Sequence, residues 1–331
     1  MRCAPQRPPM TDIVVADVGG TNARFAIATL DGPEPRLSEI RRYDTADHSS
    51  LASAWRSFAS DLGRSLPRAA SIAVAGGLGG DVVKLANCPW IVRPSTLADE
   101  LGLDRLTLVN DFGAMAHAVD ALADDSLEWI AGPRSGRPAE GVISVIGPGT
   151  GLGVAMVLRR AGHHHVIETE GGHIDFAPLD TLEEQILARL RSRHLRVSVE
   201  RIVSGPGLAN IYEAIASIEG TPARIRDDAS LWAAATDGSD PLASAALDRL
   251  CMSFGSVAGD LALAQGASAV VITSQLARRV VDRLRGGAFV ERFLAKGRYR
   301  SRMEAMPVLL CRHPEPGLYG AAAAFQKEHM S

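Results

Sequence analysis

Two glycine-rich turns, each with a strand-type segment on both sides, constrain the fold of this chain more than any other feature. They lie at residues 17–22 and 147–151, one in each half of the chain. In the two commonest nucleotide-binding motifs a helix follows the glycines, and the N-terminal amides of that helix face the phosphate. Here a second β-type segment follows each turn instead. We therefore expect two hairpins that can hold nucleotide phosphates.

The composition is that of an ordinary globular protein. The 331 residues are 46% hydrophobic and 22% charged, with a net charge of −3, and the length suffices for two domains of about 100–200 residues each. Lysine and arginine are spread along the chain, which does not favour nucleic-acid binding, and no apolar run approaches the ~20 residues that cross a membrane. The cysteines are far apart and form no C-x-x-C pair, which favours a reducing, cytoplasmic setting.

Alternating strand and helix patterns predict an α/β fold in two parts. Residues 1–11, which contain three prolines, predict a disordered extension. We expect a small α/β lobe over residues 12–109 and a large α/β lobe over residues 110–316. An alanine-rich segment at about 317–328 predicts a terminal helix that packs back on the small lobe. Because the strand–turn–strand plan occurs once in each half, the pattern also suggests a duplicated α/β core.

The first turn has the residues of a phosphate and magnesium site. Gly19 and Gly20 would let backbone amides approach an anion closely, and Thr21 and Asn22 would add side-chain donors. Asp17 would place a carboxylate where a phosphate-bound Mg²⁺ lies. A plain hairpin is the alternative, since type I′ and II′ turns use Gly and Asn for backbone reasons alone.

The second turn holds more glycine than a tight turn requires, at Gly147, Gly149, Gly151 and Gly153. It lacks the third glycine of the dinucleotide fingerprint, and the chain contains no G-K-[ST] of a Walker loop. The turn therefore predicts a second phosphate site around Gly149, Thr150 and Gly151.

Further polar residues are candidates for proton transfer or for sugar binding. Asp111 follows an apolar strand at a helix start, where a carboxylate could accept a proton from a hydroxyl; a simple N-cap is the alternative. Glu170 and His173 flank two glycines in a compact polar loop, which favours polyol recognition; a chance turn beside a core histidine is the alternative. Glu200, beside Arg201, taken alone is typical of a surface ion pair.

Five motifs occur together and in order along the chain: Asp-Val-Gly-Gly-Thr-Asn-Ala-Arg (17–24), Val-Asn-Asp-Phe (109–112), Gly-x-Gly-Thr-Gly-Leu-Gly (147–153), Glu-Gly-Gly-His-Ile-Asp-Phe-Ala-Pro (170–178) and Ser-Gly-Pro-Gly-Leu (204–208). From about residue 12 to 326 the chain resembles bacterial glucokinases of the hexokinase and actin-like ATPase superfamily. The resemblance implies a two-lobed, ribonuclease-H-like α/β fold with a central cleft, usually in a homodimer. The cysteine-rich zinc motif of the related repressor and sugar-kinase family is absent, which indicates the zinc-free group.

The resemblance also implies a reaction and the residues that carry it. It implies phosphorylation of glucose at the 6-hydroxyl, with ATP as donor and Mg²⁺ as cofactor. Asp111 corresponds to the general base, and Asn110, Asp111, Glu170, His173 and Glu200 correspond to the sugar ligands. The phosphate contacts correspond to Gly19, Gly20, Thr21, Asn22, Gly149, Thr150 and Gly151, and the carboxylate near magnesium to Asp17.

The chain departs from the family pattern where the adenosine is expected. There the family has a Gly-Gly pair after a strand, and this chain has Ser274 and Gln275, whose side chains would project toward the nucleotide. The departure leaves a sugar-binding regulatory protein with weak or no kinase activity as an alternative function. A phosphatase or another hydrolase on the same fold is a third, against which the loop of Glu170 and His173 argues.

Overall fold

The structure is a computed structural model that describes residues 12–77, 80–85 and 88–330. The expected disordered extension at residues 1–11 lies outside them. The strands are β1 (Asp12–Val18), β2 (Asn22–Thr29), β3 (Arg36–Asp44), β4 (Ala69–Val74), β5 (Val83–Lys84), β6 (Ile91–Val92), β7 (Arg105–Asn110), β8 (Leu127–Ala131), β9 (Gly141–Pro148), β10 (Leu152–Arg160), β11 (His163–Thr169), β12 (Ala269–Ile272) and β13 (Val308–Cys311).

The helices are α1 (Leu51–Leu62), α2 (Pro94–Leu101), α3 (Asp111–Ala121), α4 (Thr181–Arg191), α5 (Gly205–Glu219), α6 (Asp228–Asp237), α7 (Pro241–Ala264), α8 (Gln275–Arg279), α9 (Val281–Arg285), α10 (Ala288–Leu294), α11 (Arg300–Glu304) and α12 (Pro316–His329). Short 3₁₀ helices lie at Thr45–Asp47, Asp124–Ser126, Gly171–His173, Val199–Arg201 and Gly297–Tyr299. Among the described residues, no helix combines the length and the apolar character that a membrane crossing requires.

The chain divides into two compact units. Unit 1 runs to Leu122 and resumes at His313, and unit 2 comprises Ala123–Arg312. The division falls later than the boundary expected at residue 110, because α3 packs on α12, β4 and β7 and so belongs with the first sheet. The helix expected near the chain end is α12, and it packs on β1, β4 and α3 of unit 1. The correspondence of the two units to functional lobes stays a prediction.

The sheet of unit 1 has the strand order β3-β2-β1-β4-β7 and is covered by helices on both faces. Strand β1 is antiparallel to β2 and parallel to β4. Alternate residues of β1 face opposite sides of the sheet. Val14 packs in the core that contains Phe58 of α1, whereas Ile13 packs in the core that contains Phe325 of α12. Gly320 lets α12 approach closely, since a Cβ there would lie 1.7 Å from the Ala114 carbonyl oxygen of α3.

The sheet of unit 2 repeats this plan. Its order is β11-β10-β9-β12-β13-β8, with an antiparallel β11-β10-β9 ribbon followed by parallel β12 and β13. The first five strands thus match the sheet of unit 1 in order and direction, and β8 is an antiparallel addition at one edge. The long helix α7 and helices α4, α5, α6 and α10 pack together beside this sheet. The expected α/β class is confirmed, and the duplication suggested by the two hairpins is present in both sheets.

Candidate active site

The first glycine hairpin and the start of α3 leave the sheet of unit 1 at the same edge. Val18 pairs with Val74, which in turn pairs with Asn110, so parallel strands β1, β4 and β7 end side by side. The Ala75 amide donates to the Val18 carbonyl at 3.1 Å, and Asn110 Nδ2 donates to the Gly76 carbonyl at 3.1 Å. The carboxyl edge of a parallel sheet is where α/β proteins bind ligands.

The tip of the first hairpin does not need glycine for its backbone. The Gly19 amide donates to the Asn22 carbonyl at 2.9 Å, and neither Gly19 nor Gly20 has a positive φ. The tip is therefore not a type I′ or II′ turn, both of which require positive φ. A Cβ on Gly19 would lie 3.5 Å from the Asn22 carbonyl oxygen, an ordinary contact. The missing side chains leave the backbone of the tip accessible to a ligand, which favours the phosphate interpretation over the plain-turn alternative.

The side chains at the tip contact one another and an arginine that the sequence did not single out. Asn22 Nδ2 donates to Thr21 Oγ1 at 2.9 Å, and Arg42 Nε donates to Asn22 Oδ1 at 2.7 Å. Arg42 lies on exposed β3, opposite Arg24 in the pairing with β2. It places a positive charge beside the hairpin. Nothing local in its charge-rich segment distinguishes it, because only the strand pairing brings it to the tip.

Asp17 is a buried carboxylate that shares a cation with a second acid. Its side chain is 16% exposed and its Oδ2 lies 3.6 Å from Arg24 Nη1, which also contacts Glu315 at 3.3 Å. Burial raises the pKa of Asp17 above its usual range, Arg24 opposes that rise and Glu315 adds to it. At the start of α12, a Cβ on Gly317 would lie 2.7 Å from Asp17 Oδ2. A poorly compensated carboxylate of this kind fits Mg²⁺, which binds through one or two carboxylates together with phosphate oxygens and water.

Asn110, and not Asp111, caps helix α3. Asn110 Oδ1 accepts from the Phe112 amide at 2.8 Å and from the Gly113 amide at 3.1 Å. Asp111 is the first residue of the helix, and its Oδ1 accepts from the Phe112 amide at 2.8 Å. The capping requirement is therefore met by Asn110, so the N-cap alternative for Asp111 is wrong.

The second hairpin leaves the sheet of unit 2 beside Ser274. Ile146 pairs with Ile272, and the Thr273 amide donates to the Ile146 carbonyl at 2.9 Å. The Ser274 hydroxyl donates to the Pro148 carbonyl and accepts from the Ala277 amide at 3.2 Å, as the N-cap of α8. The expected projection of this side chain toward the nucleotide is not what the structure shows, because its hydroxyl is bound to the hairpin and to the helix.

The tip of the second hairpin is exposed at Gly149 and Thr150. Gly149 has no positive φ, and no atom lies within 4 Å of the position of a Cβ on it. Its carbonyl accepts from the Gly205 amide at 2.7 Å, which fixes the hairpin to the start of α5. Ser204 caps that helix by accepting from the Gly207 amide at 3.1 Å, as the Ser-Gly-Pro-Gly pattern predicts. As in unit 1, the backbone does not require glycine at the tip.

The polar loop of Glu170 and His173 is pressed against strand β10. Glu170 is exposed and precedes the 3₁₀ helix Gly171–His173. A Cβ on Gly172 would lie 1.9 Å from the Leu152 carbonyl oxygen, so only glycine fits this approach. The close backbone contact explains Gly172 and fixes the residue that follows it.

Glu200 lies beside His173, although the sequence separates them. The Phe176 amide donates to the Val197 carbonyl at 3.0 Å and the Val199 amide to the Ile174 carbonyl at 2.9 Å, which joins the two segments. Glu200 Oε1 then lies 3.8 Å from His173 Nδ1. The His173 side chain is 58% exposed and that of Glu200 is 22% exposed, so both polar groups can reach a ligand. The interpretation of Glu200 as a plain ion pair with Arg201 is replaced by this contact.

A cavity of about 650 Å³ lies beside α6 and α8, and no local sequence pattern predicts it. The Trp232 indole is partly buried there and donates from Nε1 to the Gly205 carbonyl at 3.2 Å. Gly205 in turn donates to Gly149 of the hairpin. The cavity is lined by Asp228, Ala229, Trp232, Ala233, Thr236 and Arg279. The aromatic wall is therefore connected to the phosphate hairpin through two hydrogen bonds.

The predicted residues fall into two groups, one in each unit. Unit 1 holds Asp17, Gly19, Gly20, Thr21, Asn22, Asn110 and Asp111, and unit 2 holds Gly149, Thr150, Gly151, Glu170, His173, Glu200, Ser274 and Gln275. Each group gathers at the carboxyl edge of its own sheet or on the loops that pack against that sheet. Two duplicated sheets with glycine-tipped hairpins define a protein of the actin-like ATPase fold, in its sugar-kinase class.

Comparison with known proteins identifies the family within that class. The family model for Glucokinase matches residues 14–328. The chain is 54% identical over 319 residues to a glucokinase of Zymomonas mobilis, which covers 96% of this chain and 98% of that relative. It is 41% identical to a glucokinase of Stenotrophomonas maltophilia over 94% of each chain. A crystal structure of a glucokinase from an Antarctic psychrotroph matches with a TM-score of 0.82 at 36% identity, covering 96% of this chain and 99% of that one. The chain belongs to the glucokinase family.

Proposed function

We propose that this protein transfers the γ-phosphoryl group of ATP to the 6-hydroxyl of glucose, with Asp111 as the general base. In this reaction Asp111 accepts the proton of the 6-hydroxyl, the sugar oxygen attacks the γ-phosphorus, and ADP leaves. Glu170, His173 and Glu200 hold the other sugar hydroxyls, with Asn110 contributing through Nδ2.

The observation that carries the proposal is that Asn110 caps α3 and Asp111 follows it as the first residue of the helix. Asn110 Oδ1 accepts from both the Phe112 and the Gly113 amides, so the cap of the helix does not depend on the carboxylate at residue 111, which shares only the Phe112 amide. That carboxylate belongs to the first residue of α3, at the positive end of the helix dipole. It also stands at the same sheet edge as the first hairpin, two strands away.

The phosphate contacts are assigned to the tips of the two hairpins, through the backbone amides of Gly20 and Thr150, because the Gly19 and Gly149 amides donate to the Asn22 and Gly151 carbonyls. Arg42 adds positive charge beside the first of them. Asp17 would hold Mg²⁺ through water or phosphate. When bound, the ion supplies neutralisation of the phosphate charge, which is a large part of what phosphoryl transfer requires.

The donor is assigned as a nucleotide because an aromatic-walled cavity adjoins the second hairpin. Bases stack on indole rings, and Trp232 is fixed by its hydrogen bond to Gly205. Ser274 does not argue against this assignment, because its hydroxyl is bound within the protein. We further assign the protein as a cytoplasmic homodimer, on the family resemblance. The even spread of charge along the chain supports the assignment of no nucleic-acid partner.

A sugar-responsive regulator without kinase activity is the second candidate function. Gln275 is its basis, because that exposed side chain stands at the helix start where the family has glycine. A regulator would bind glucose and show no saturable nucleotide binding.

A coupled assay of ADP release tests the proposal across glucose, mannose and fructose with ATP and other phosphoryl donors. We expect glucose-dependent turnover that requires Mg²⁺ and that is lost in Asp111→Ala. Calorimetry with glucose and with ADP runs in parallel on the same protein. Folded protein that binds glucose without turnover at millimolar ATP would favour the regulator, and full activity in Asp111→Ala would overturn the assigned base.

A further inference from the structure

Gly151, at the end of the second hairpin, lies directly against the Glu200 carboxylate. A Cβ on Gly151 would stand 2.6 Å from Glu200 Oε2 and 3.7 Å from its Cδ. Gly151 has no positive φ, so its backbone conformation does not require glycine. Gly149, two residues earlier, would meet nothing within 4 Å. The surroundings of the two glycines therefore differ. A side chain at residue 149 would enter open space, whereas one at residue 151 would meet the Glu200 carboxylate.

The backbone that carries Glu200 cannot move away from the hairpin easily. Val199 donates to the Ile174 carbonyl at 2.9 Å, and the Val203 amide donates to the Val199 carbonyl at 2.8 Å. The Asn210 side chain also donates to the Arg201 carbonyl at 2.9 Å. A methyl group at residue 151 would therefore displace the end of the Glu200 side chain and leave its backbone in place. The displaced atoms are the carboxylate oxygens.

We propose that Gly151 is a positioning residue for Glu200, so that the second hairpin serves sugar binding as well as phosphate binding. The absent side chain keeps the carboxylate 3.8 Å from His173 Nδ1, where the pair can bind neighbouring hydroxyls of one sugar. This inference rests on the proposed function, in which Glu200 is a sugar ligand. It moves Gly151 from the phosphate contacts to the sugar side and leaves Gly149 and Thr150 with the phosphates.

The test compares Gly151→Ala with Gly149→Ala, by calorimetric titration with glucose and with ADP and by steady-state kinetics. In Gly151→Ala we expect the glucose Kd to rise at least about tenfold, as for a lost hydrogen bond to a charged group, with the ADP Kd within about threefold. In Gly149→Ala we expect the reverse, with weaker ADP binding and an unchanged glucose Kd. A Gly151→Ala protein that loses ADP affinity and keeps glucose affinity would overturn the inference.

A double variant shows whether the effect acts through Glu200. Glu200→Asp shortens the side chain and clears the space that the methyl group needs, so it should cost less glucose affinity in Gly151→Ala than in the native chain. Strictly additive effects would contradict the proposal. If Gly151→Ala alone does not fold, a folded double variant that binds glucose as well as Glu200→Asp does supports the proposal, and one that binds it more than about tenfold more weakly overturns it. A native chain that binds no glucose refutes the proposed function itself, which is a separate outcome.

Discussion

Replacing Gly172 by alanine should damage glucose binding more than any other single methyl group added to the polar loop. A Cβ there would lie 1.9 Å from the Leu152 carbonyl oxygen and 2.9 Å from the carbonyl carbon, and non-bonded contacts of a Cβ atom essentially never fall below 3.0 Å. The neighbour is backbone of β10, which pairs with β9 on one side and β11 on the other. The loop must therefore retreat by about 1 Å, and His173 moves with it.

The structure gives the size of the effect. A 1 Å misplacement of a binding group can cost roughly 100-fold in kcat/KM. Overpacking costs about 1–3 kcal/mol in the free energy of unfolding, and each kcal/mol lowers Tm by roughly 2–4 °C in a unit of this size. We expect Gly172→Ala to lower kcat/KM for glucose by about two orders of magnitude and Tm by several degrees.

The assay is ADP release against glucose concentration, with Tm from calorimetry on the same samples. Gly171→Ala is the matched control, because its Cβ would lie 3.0–3.1 Å from Val154 side-chain atoms, a contact that a shift of a few tenths of an ångström relieves. Native kinetics and native Tm in Gly172→Ala would show that the loop does not lie against β10, and the reasoning would be refuted.

Three further predictions concern the base, the donor and pH. Asp111→Asn should lower kcat by about 10²–10⁴, because the amide keeps the shape of the side chain and cannot accept the proton. Calorimetry should show a glucose Kd within a few fold of native. A native kcat in this variant would show that Asp111 is not the general base. Trp232→Ala should raise KM for ATP by about 5–100-fold through lost stacking, whereas Trp129→Ala should not, although Trp129 also donates its indole N–H to a backbone carbonyl; equal effects would contradict the assigned cavity. Burial, with Lys327 adding and Asp120 opposing, lowers the pKa of His117 to about 4 from 6.5. As pH falls through this interval the unfolded chain takes up the proton first, so the free energy of unfolding should drop by about 2 kcal/mol between pH 8 and 5. Thermal unfolding of His117→Gln at pH 8 and pH 5 should show a smaller drop in the free energy of unfolding than the native chain shows. An equal drop would mean that other groups cause the pH dependence.

The sequence predicted the features that depend on neighbouring residues. Both hairpins and the Ser204 cap of α5 follow from the local placement of glycine, proline and serine. The contact of Glu200 with His173 was not predictable without the family resemblance, because a backbone ladder between distant segments creates it. Ser274 was misjudged for the same reason: its hydrogen-bond acceptor, Pro148, is far away in sequence.

The cavity beside Trp232 depends on helices that local pattern describes poorly. Helix α6 is short, and the short helices α8 and α9 are separated at Val280. Packing against the unit decides where such short helices end. The same holds for the division after Leu122, since α3 joins unit 1 through α12, which lies at the other end of the chain.

The return of α12 to unit 1 has a consequence for the order in which the protein is made. Leu318, Ala321 and Phe325 complete the core on the face of the sheet that also buries Ile13. Unit 2 is continuous in sequence and is fully synthesised before α12 exists, and domains generally fold as they are completed. The core that supports Asp17 and Asp111 therefore closes only when the last turns of the chain have left the ribosome. A nascent chain that lacks α12 therefore has an incomplete core beneath Asp17, the proposed magnesium ligand, and Asp111, the proposed base.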